Sequence, residues 1–318
     1  MPFPLTVVLV AIPTFLYMRL VRLVDRRELE PRSYLILTFL WGALPAVILA
    51  VIVGVVLQGV LQTALGETLV EELIETAFAT PIVEEAVKAL AVAFIFTRRR
   101  YEFDGWVDGI VYGSTVGFGF AFVENILYIA GTESLGEWVT LFFLRVVIFG
   151  FMHGFWTSLT GIGFGIARNL RSRILQVLVV IGGYSAAVLG HALHNGPLVL
   201  AQDEPASLLV AVVNYLILIG LMVSLTIIAS RNERTLLVAY LRDEVPSVIT
   251  PKNYTALCST VTSAQAHWRL LPPQRRLFVQ TATELAQKKW QREQHGEERG
   301  NTALITQLQA DLQRMQGL

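Results

Sequence analysis

The chain has 318 residues, of which 54% are hydrophobic and only 16% are charged, and its formal net charge is zero. A soluble domain carries about 25% charged residues, so the composition excludes an ordinary soluble globular protein. The apolar residues gather in blocks long enough to cross a bilayer, which takes about 20 residues in a helix. We therefore expect an all-α polytopic membrane protein, with the lipid bilayer as a partner and no nucleic acid.

Seven apolar blocks predict about seven transmembrane helices. They are 3–21, 33–61, 78–97, 105–130, 138–167, 174–200 and 206–229. The first block has no Lys or Arg before Arg19 and no clear small-residue cleavage site, so we interpret it as a retained helix, not a signal peptide. The second block is long enough to tilt or to run past the membrane. The acidic segment 66–78 that follows it is expected at the outer surface.

The distribution of basic residues predicts the orientation, because short cytoplasmic loops are rich in Lys and Arg. Arginines follow the first, third, fifth and seventh blocks: Arg22, Arg26, Arg27, Arg32, Arg98, Arg99, Arg100, Arg168, Arg171, Arg173, Arg231 and Arg234. The connections 62–77, 131–137 and 201–205 contain neither Lys nor Arg. This alternation predicts an N-terminus outside and a cytoplasmic C-terminus, in a bacterial-type plasma membrane.

The sequence divides into a transmembrane region, 1–230, and a soluble helical C-terminal region, 231–318. Thr250 and Pro251 form a helix start, with Thr as the N-cap and Pro at the first helical position. Apolar residues at 304, 305, 308, 312 and 315 follow helical spacing. The single cysteine, Cys258, excludes an intrachain disulfide and favours a reducing compartment for its segment. His267 and His295 are expected to be ordinary surface residues of this region.

Ionisable residues lie inside the predicted spans, where each costs about 2.5–3.5 kcal/mol near a helix centre. The third span contains Glu84, Glu85 and Lys88, the fourth contains Glu124 and the fifth contains Arg145. A rise of about 1.5 Å per residue places Glu84, Glu124 and Arg145 about 9–10 Å below the outer surface. His191 and Asn195 fall in the same layer, at about 7–14 Å.

His153 counts to a depth of about 22 Å, unless Gly150 or Gly154 bends the helix. Spacing also indicates which groups share a face. Lys88 can reach Glu84 at i,i+4 and Glu85 at i,i+3. His191, His194 and Asn195 share one face, as do Phe120 and Glu124. Small residues allow neighbouring helices to approach closely; they are Gly109, Gly113, Gly117, Gly150, Gly154, Gly161 and Gly165.

Four segments carry a resemblance to a known family. "EEAVK" (84–88) resembles an EExxK motif, "FAFVEN" (120–125) resembles FxxxEN, and "HALHN" (191–195) resembles HxxxN with an extra histidine. His153, in "GFMHGFWTSLTGIGFG", resembles a further histidine motif followed by small residues. Over about 80–230, this order on successive helices resembles the PrsW family of intramembrane proteases, related to the CAAX prenyl endopeptidases. The resemblance implies hydrolysis of a peptide bond in a single-span, anti-sigma-factor-like membrane protein.

Hydrolysis of an amide needs an activated water, a donor to the oxyanion and a proton for the leaving amine. We expect Glu84 or Glu124 as the general base, His191 and Asn195 as oxyanion donors, and His153 in proton transfer or metal binding. Arg145 is expected to be a counter-ion. The predicted catalytic set is Glu84, Glu85, Lys88, Glu124, Asn125, His153, His191 and Asn195.

Two alternatives stay open at this point. Glu124, His153 and His191 form a candidate Zn²⁺ set, because Glu and His are suitable ligands and a catalytic site leaves one position for water; metal-free glutamate catalysis is the rival. Buried Glu, Lys and His also mark proton and ion pathways, so the alternative function is a proton- or ion-coupled transporter. The purely structural alternatives are an ion pair for Glu84, Glu85 and Lys88, and hydrogen bonding between helices for Glu124 and for His191 with Asn195.

Overall fold

The computed structural model describes residues 3–22, 24, 30–99, 102–201, 203–259, 272–297 and 300–315. Within these ranges the regular elements are helices, which confirms the all-α fold class. Arg26, Arg27, Arg100 and His267 lie outside the described residues. The α-helices are α1 Phe3–Val21, α2 Arg32–Trp41, α3 Val47–Leu65, α4 Leu69–Leu73, α5 Thr80–Arg98, α6 Trp106–Ala130, α7 Leu135–Leu141, α8 Met152–Arg168, α9 Arg173–Leu200, α10 Leu208–Tyr240, α11 Pro251–Cys258, α12 Pro273–His295 and α13 Asn301–Arg314.

Six helical stretches of the described chain are long and apolar enough to cross a membrane. They are Phe3–Val21, Arg32–Leu65, Trp106–Ala130, Leu135–Arg168, Arg173–Leu200 and Pro205–Tyr240. The predicted third span, 78–97, is helical as α5, but Glu84, Glu85 and Lys88 make it too charged to belong to this set. The protein is therefore an integral membrane protein, while the count of seven spans stays a prediction.

Two wide π-helical turns lie at or near prolines and join neighbouring α-helices. The turn Gly42–Ala46 contains Pro45 and joins α2 to α3, so Arg32–Leu65 is one stretch. The turn Ile74–Ala79 immediately precedes Pro81 and joins α4 to α5. Because proline has no N–H to donate to the carbonyl of the preceding turn, the ladder is rearranged at these places. The acidic segment 66–78 is thus largely helical and continuous with α5.

Glycines bring α6 and α8 into close contact. A Cβ atom at Gly113 would lie 2.6 Å from the carbonyl oxygen of Thr157, and one at Gly109 or Gly117 would overlap the backbone of Gly161 or His153. The prediction that these small residues permit close approach is confirmed. The backbone of α8 is therefore held against the face of α6.

The helix is interrupted just before His153, next to one of the two glycines at which a bend would change its depth. The π-helical turn Phe142–Ile148 ends at residues 149–151, and α8 starts at Met152. Gly150 lies in this interruption, and a Cβ there would collide with the carbonyl of Val146. The fifth predicted span is therefore not one regular helix up to its histidine, and the depth of about 22 Å counted along a straight helix stays a prediction.

The chain forms two compact units, and the main part of the second is Ser224–Leu318. The second unit has its own core, with Leu241, Ile249, Leu285, Ile305 and Leu312 buried. The predicted helix start is present, since the Thr250 hydroxyl accepts the backbone N–H of Asn253 at 3.2 Å. The solubility and the side of the membrane predicted for 231–318 stay predictions, as does the domain boundary at 230.

Candidate active site

Four helices of the first unit bring their polar residues together. Helix α5 supplies Glu84, Glu85 and Lys88 on adjacent turns, because residues three and four apart share a helix face. Helix α6 supplies Glu124, α8 supplies His153 and α9 supplies His191. The close approach of α6 and α8 places His153 beside Glu124, which lies about two turns beyond Gly117. The cluster therefore depends on the glycine contacts between these helices.

Lys88 lies at the centre of the cluster and is fully buried. Its Nζ atom is 3.1 Å from Glu84 Oε2, 2.8 Å from Glu85 Oε1 and 3.0 Å from His153 Nδ1. It also lies 4.0 Å from the centre of the Phe120 ring. A buried ammonium is tolerated only when its donors are satisfied and its charge is compensated. These contacts meet both conditions, and they connect α5 to α8.

Glu85 is also fully buried and has partners on both carboxylate oxygens. Thr157 donates its hydroxyl to Oε2 at 3.0 Å, and Oε1 contacts His191 Nδ1 at 3.2 Å as well as Lys88. Glu84, in contrast, lines a cavity between α3, α5 and α6. A carboxylate that activates water must reach that water, so the geometry separates an accessible Glu84 from an enclosed Glu85.

Glu124 pairs with two cationic or ionisable groups. Its Oε2 lies 2.8 Å from His153 Nε2 and 3.0 Å from a terminal nitrogen of Arg145. Arg145 also donates from Nε to Asn125 Oδ1 at 3.2 Å and lies over the Tyr128 ring at 3.8 Å. Arg145 is thus the counter-ion that the sequence predicts, and Asn125 holds it in place.

The predicted pair on α9 has two different roles in the structure. His191 joins the cluster through Glu85. Asn195 donates its amide to the backbone carbonyl of Thr76 at 3.2 Å, in the π-helical turn that precedes α5. This bond ties α9 to the stretch that continues into α5. Asn195 therefore contributes to the position of His191 and Glu85 relative to each other.

Two residues of α8 belong to the site although the sequence analysis does not single them out. The Trp156 ring stacks on His191, with centroids 3.9 Å apart and planes 13° apart, and its edge faces His153 at 4.9 Å. Thr157 binds Glu85, as described above. Both lie three and four residues after His153, so they share its helix face. That spacing is the signal that could have found them.

Three residues of the cluster are of the types that bind a metal ion, and two of them, Glu84 and His153, also contact the Lys88 ammonium. Within the described part of the chain, ligand atoms of Glu84, His153 and His191 lie within 4.8 Å of one another. The group contains both predicted histidines but has Glu84 where the sequence suggests Glu124. Two imidazoles and one carboxylate form a suitable set for Zn²⁺ with an open position. Glu85 at His191 Nδ1 matches the carboxylate that commonly orients a metal-binding histidine.

Comparison with known proteins agrees with this architecture. The family described as PrsW family intramembrane metalloprotease matches residues 30–225, which include all of the predicted site residues. The chain is also similar to Protease PrsW of Geobacillus kaustophilus (strain HTA426), with 31% identity over 160 residues. That match spans 50% of this chain and 63% of the relative. No solved structure matches the chain.

Proposed function

Because the chain belongs to the PrsW family of intramembrane metalloproteases, we propose that it hydrolyses a peptide bond in a membrane-anchored protein. The observation that carries the proposal is the convergence of Glu84, Glu124, His153 and His191 from four helices around one buried lysine. The proposed substrate is a single-span membrane protein of the anti-sigma-factor kind, cleaved near the extracytoplasmic side. The proposed location is a bacterial-type plasma membrane, with the N-terminus outside and the C-terminus inside.

Glu84 is the proposed general base, since it reaches the cavity and the other α5 carboxylate is enclosed. It takes a proton from water while the water oxygen bonds to the carbonyl carbon of the substrate. The bond between that carbon and the amide nitrogen then breaks. The proton passes from Glu84 to the leaving nitrogen, and the oxygen with its other proton stays on the new carboxyl group.

The other residues of the cluster orient the catalytic groups and compensate their charges. The Nδ1–H of His191 donates to Glu85, which leaves the lone pair of Nε2 for a metal; Nε2 can donate to an oxyanion only when the ring carries a second proton. Lys88 compensates the charge of the two α5 carboxylates, and Arg145 that of Glu124. Trp156 limits rotation of the His191 ring by stacking on it. A preorganised arrangement of this kind lowers the cost of charge development in the transition state.

With a zinc ion, Glu84 would be a metal ligand together with His153 and His191, and it would not be the general base; Glu124 and Glu85 are the carboxylates beside the two histidines. A bound Zn²⁺ supplies Lewis acidity and lowers the pKa of water. A metalloprotease would have a zinc ion bound to these three residues, whereas a metal-free glutamate protease would not. A transporter function is not favoured, because the matched family is a protease family and its match includes the whole cluster.

The decisive experiment incubates the purified protein, reconstituted in lipid vesicles, with a single-span test substrate, with and without a chelator. We expect cleavage by the wild type and loss of cleavage in Glu84→Gln, with full cleavage in the matched control Glu67→Gln at an exposed loop position. Measuring bound zinc per chain in the wild type and in His191→Ala separates the two chemistries. Full cleavage by Glu84→Gln would contradict the proposed site.

A further inference from the structure

A cavity of about 310 Å³ opens beside the polar cluster, between α3, α5 and α6. Glu84 and Glu124 both line it, so it is continuous with the proposed catalytic groups. Its α3 wall is apolar and consists of Val47, Ala50, Val51, Gly54, Val55 and Leu57. Pockets for small ligands and side chains combine apolar walls with a few polar groups in this way.

Gly54 is the position where the apolar wall has no side chain. A Cβ atom added there would meet nothing within 4 Å, so packing between helices does not require glycine at this position. Gly59, one and a half turns later on the same helix, also has open space around it but does not line the cavity. The two glycines therefore differ in one respect that matters here, which is whether a side chain would enter the cavity.

The wall also contains a charged group. Glu75 and Gln58 line the cavity together with Glu84 and Glu124. Gln58 and Glu71 hydrogen-bond to Glu75, but no cation is among the described groups that act on it, and the hydrocarbon chain of a lipid supplies none. A polypeptide with a large apolar side chain and a nearby Lys or Arg complements both the apolar wall and this carboxylate. The charges of the cavity thus favour a peptide segment as its occupant.

We propose that this cavity is the substrate subsite that receives a large apolar side chain next to the scissile bond, and that Gly54 sets the size of the side chain accepted. The inference rests on the proposed protease function. It assigns a substrate class: membrane segments that carry a bulky apolar residue close to the cleavage position, with a basic residue near it.

The test compares Gly54→Leu with Gly59→Leu in the vesicle assay. The substrates form a panel in which each bulky residue near the cleavage position is changed to Ala in turn. A pocket that gains one leucine side chain rejects a bulky residue by about tenfold or more. We expect Gly54→Leu to lower cleavage of the bulky substrate by this factor relative to the best Ala substrate, and Gly59→Leu to keep the wild-type ratio.

The ratio between substrates is the readout, so a general loss of folding cannot imitate the expected result. An equal loss on all substrates, or a Gly54→Leu ratio equal to that of the wild type, would overturn the subsite and leave the cavity to lipid. Failure of the wild type to cleave any substrate, or cleavage by Glu84→Gln, would instead overturn the proposed function.

The preference for a basic residue is tested in the same assay with Glu75→Gln. This variant is expected to cleave a substrate with Lys near the cleavage position more slowly than the wild type does, and to cleave the same substrate with Gln in place of that Lys at the wild-type rate. An equal effect on both substrates would refute the charge preference.

Discussion

Thr157 illustrates how single hydroxyl groups support the charged cluster. Its hydroxyl donates to Glu85 Oε2 at 3.0 Å, and both residues are fully buried. Glu85 in turn contacts Lys88 and His191, so one neutral donor helps to fix an anion, a cation and an imidazole. Thr160, one turn further along α8, is also fully buried, but its hydroxyl has no hydrogen-bond partner within the described residues. Two threonines of one helix thus have opposite energetic roles.

We predict that Thr157→Val lowers the free energy of unfolding by about 1.5–3 kcal/mol, because a buried hydrogen bond to a charged group is lost while the shape is kept. Thermal unfolding of the purified protein in detergent measures the change. Thr160→Val is the matched control and is expected to be neutral or stabilising, since it removes an unsatisfied buried hydroxyl. Equal effects of the two substitutions would show that the Thr157–Glu85 bond contributes no stability.

At the scale of elements, the contact between α6 and α8 determines where the site forms. Gly113 packs against the backbone of Thr157 and Ser158, so the hydroxyl that binds Glu85 comes from the same turn of α8 that touches α6. Without strong hydrophobic attraction between helices in lipid, close packing of small residues is a main source of helix association. Any added atom at this contact therefore displaces a site residue as well as a helix.

We predict that Gly113→Ala destabilises the protein by about 1–3 kcal/mol, the usual cost of overpacking. A Cβ there would lie 2.6 Å from Thr157 O and 2.9 Å from Ser158 Cα, so α8 has to move. Substrate cleavage is expected to fall with stability, because Thr157 moves with the helix. Gly182→Ala on α9 is the control, since a Cβ at Gly182 meets nothing within 4 Å. A Gly113→Ala variant as stable and active as Gly182→Ala would refute this account.

The helices themselves could be predicted, whereas the contacts between them could not. Spacing within α5 correctly paired Lys88 with Glu84 and Glu85, because neighbours on one helix are fixed by its pitch. Spacing within α9 grouped Asn195 with His191, but the direction of a side chain toward Thr76 depends on a neighbouring helix. Likewise, the metal-ligand group contains Glu84 where the sequence suggests Glu124, which depends on how α5, α8 and α9 pack together. A single sequence contains no measure of such distances.

At the scale of the whole molecule, the lengths of the helices support a chain that leaves the membrane. Helix α10 has 33 residues, which at about 1.5 Å per residue is about 50 Å long. The hydrocarbon core of a bilayer is about 30 Å thick, so part of this helix lies beyond it. Its C-terminal part contains Arg231 and Arg234 and belongs to the second unit. The positive-inside rule predicts that this end lies in the cytoplasm.

The predicted orientation can be tested with cysteine labelling, because the chain has only one native cysteine, Cys258. In a Cys258→Ser background, Glu133→Cys lies in the predicted outer connection between α6 and α7, and Arg171→Cys in the predicted inner connection between α8 and α9. Both wild-type residues are exposed, so reactivity depends on the side of the membrane and not on burial. We expect a membrane-impermeant maleimide to label Glu133→Cys on intact cells and Arg171→Cys only after permeabilisation. The unmodified protein, whose Cys258 is predicted on the same side as residue 171, is labelled in parallel as a reference. Labelling of Arg171→Cys on intact cells would reverse the predicted orientation and move the cluster toward the cytoplasmic leaflet.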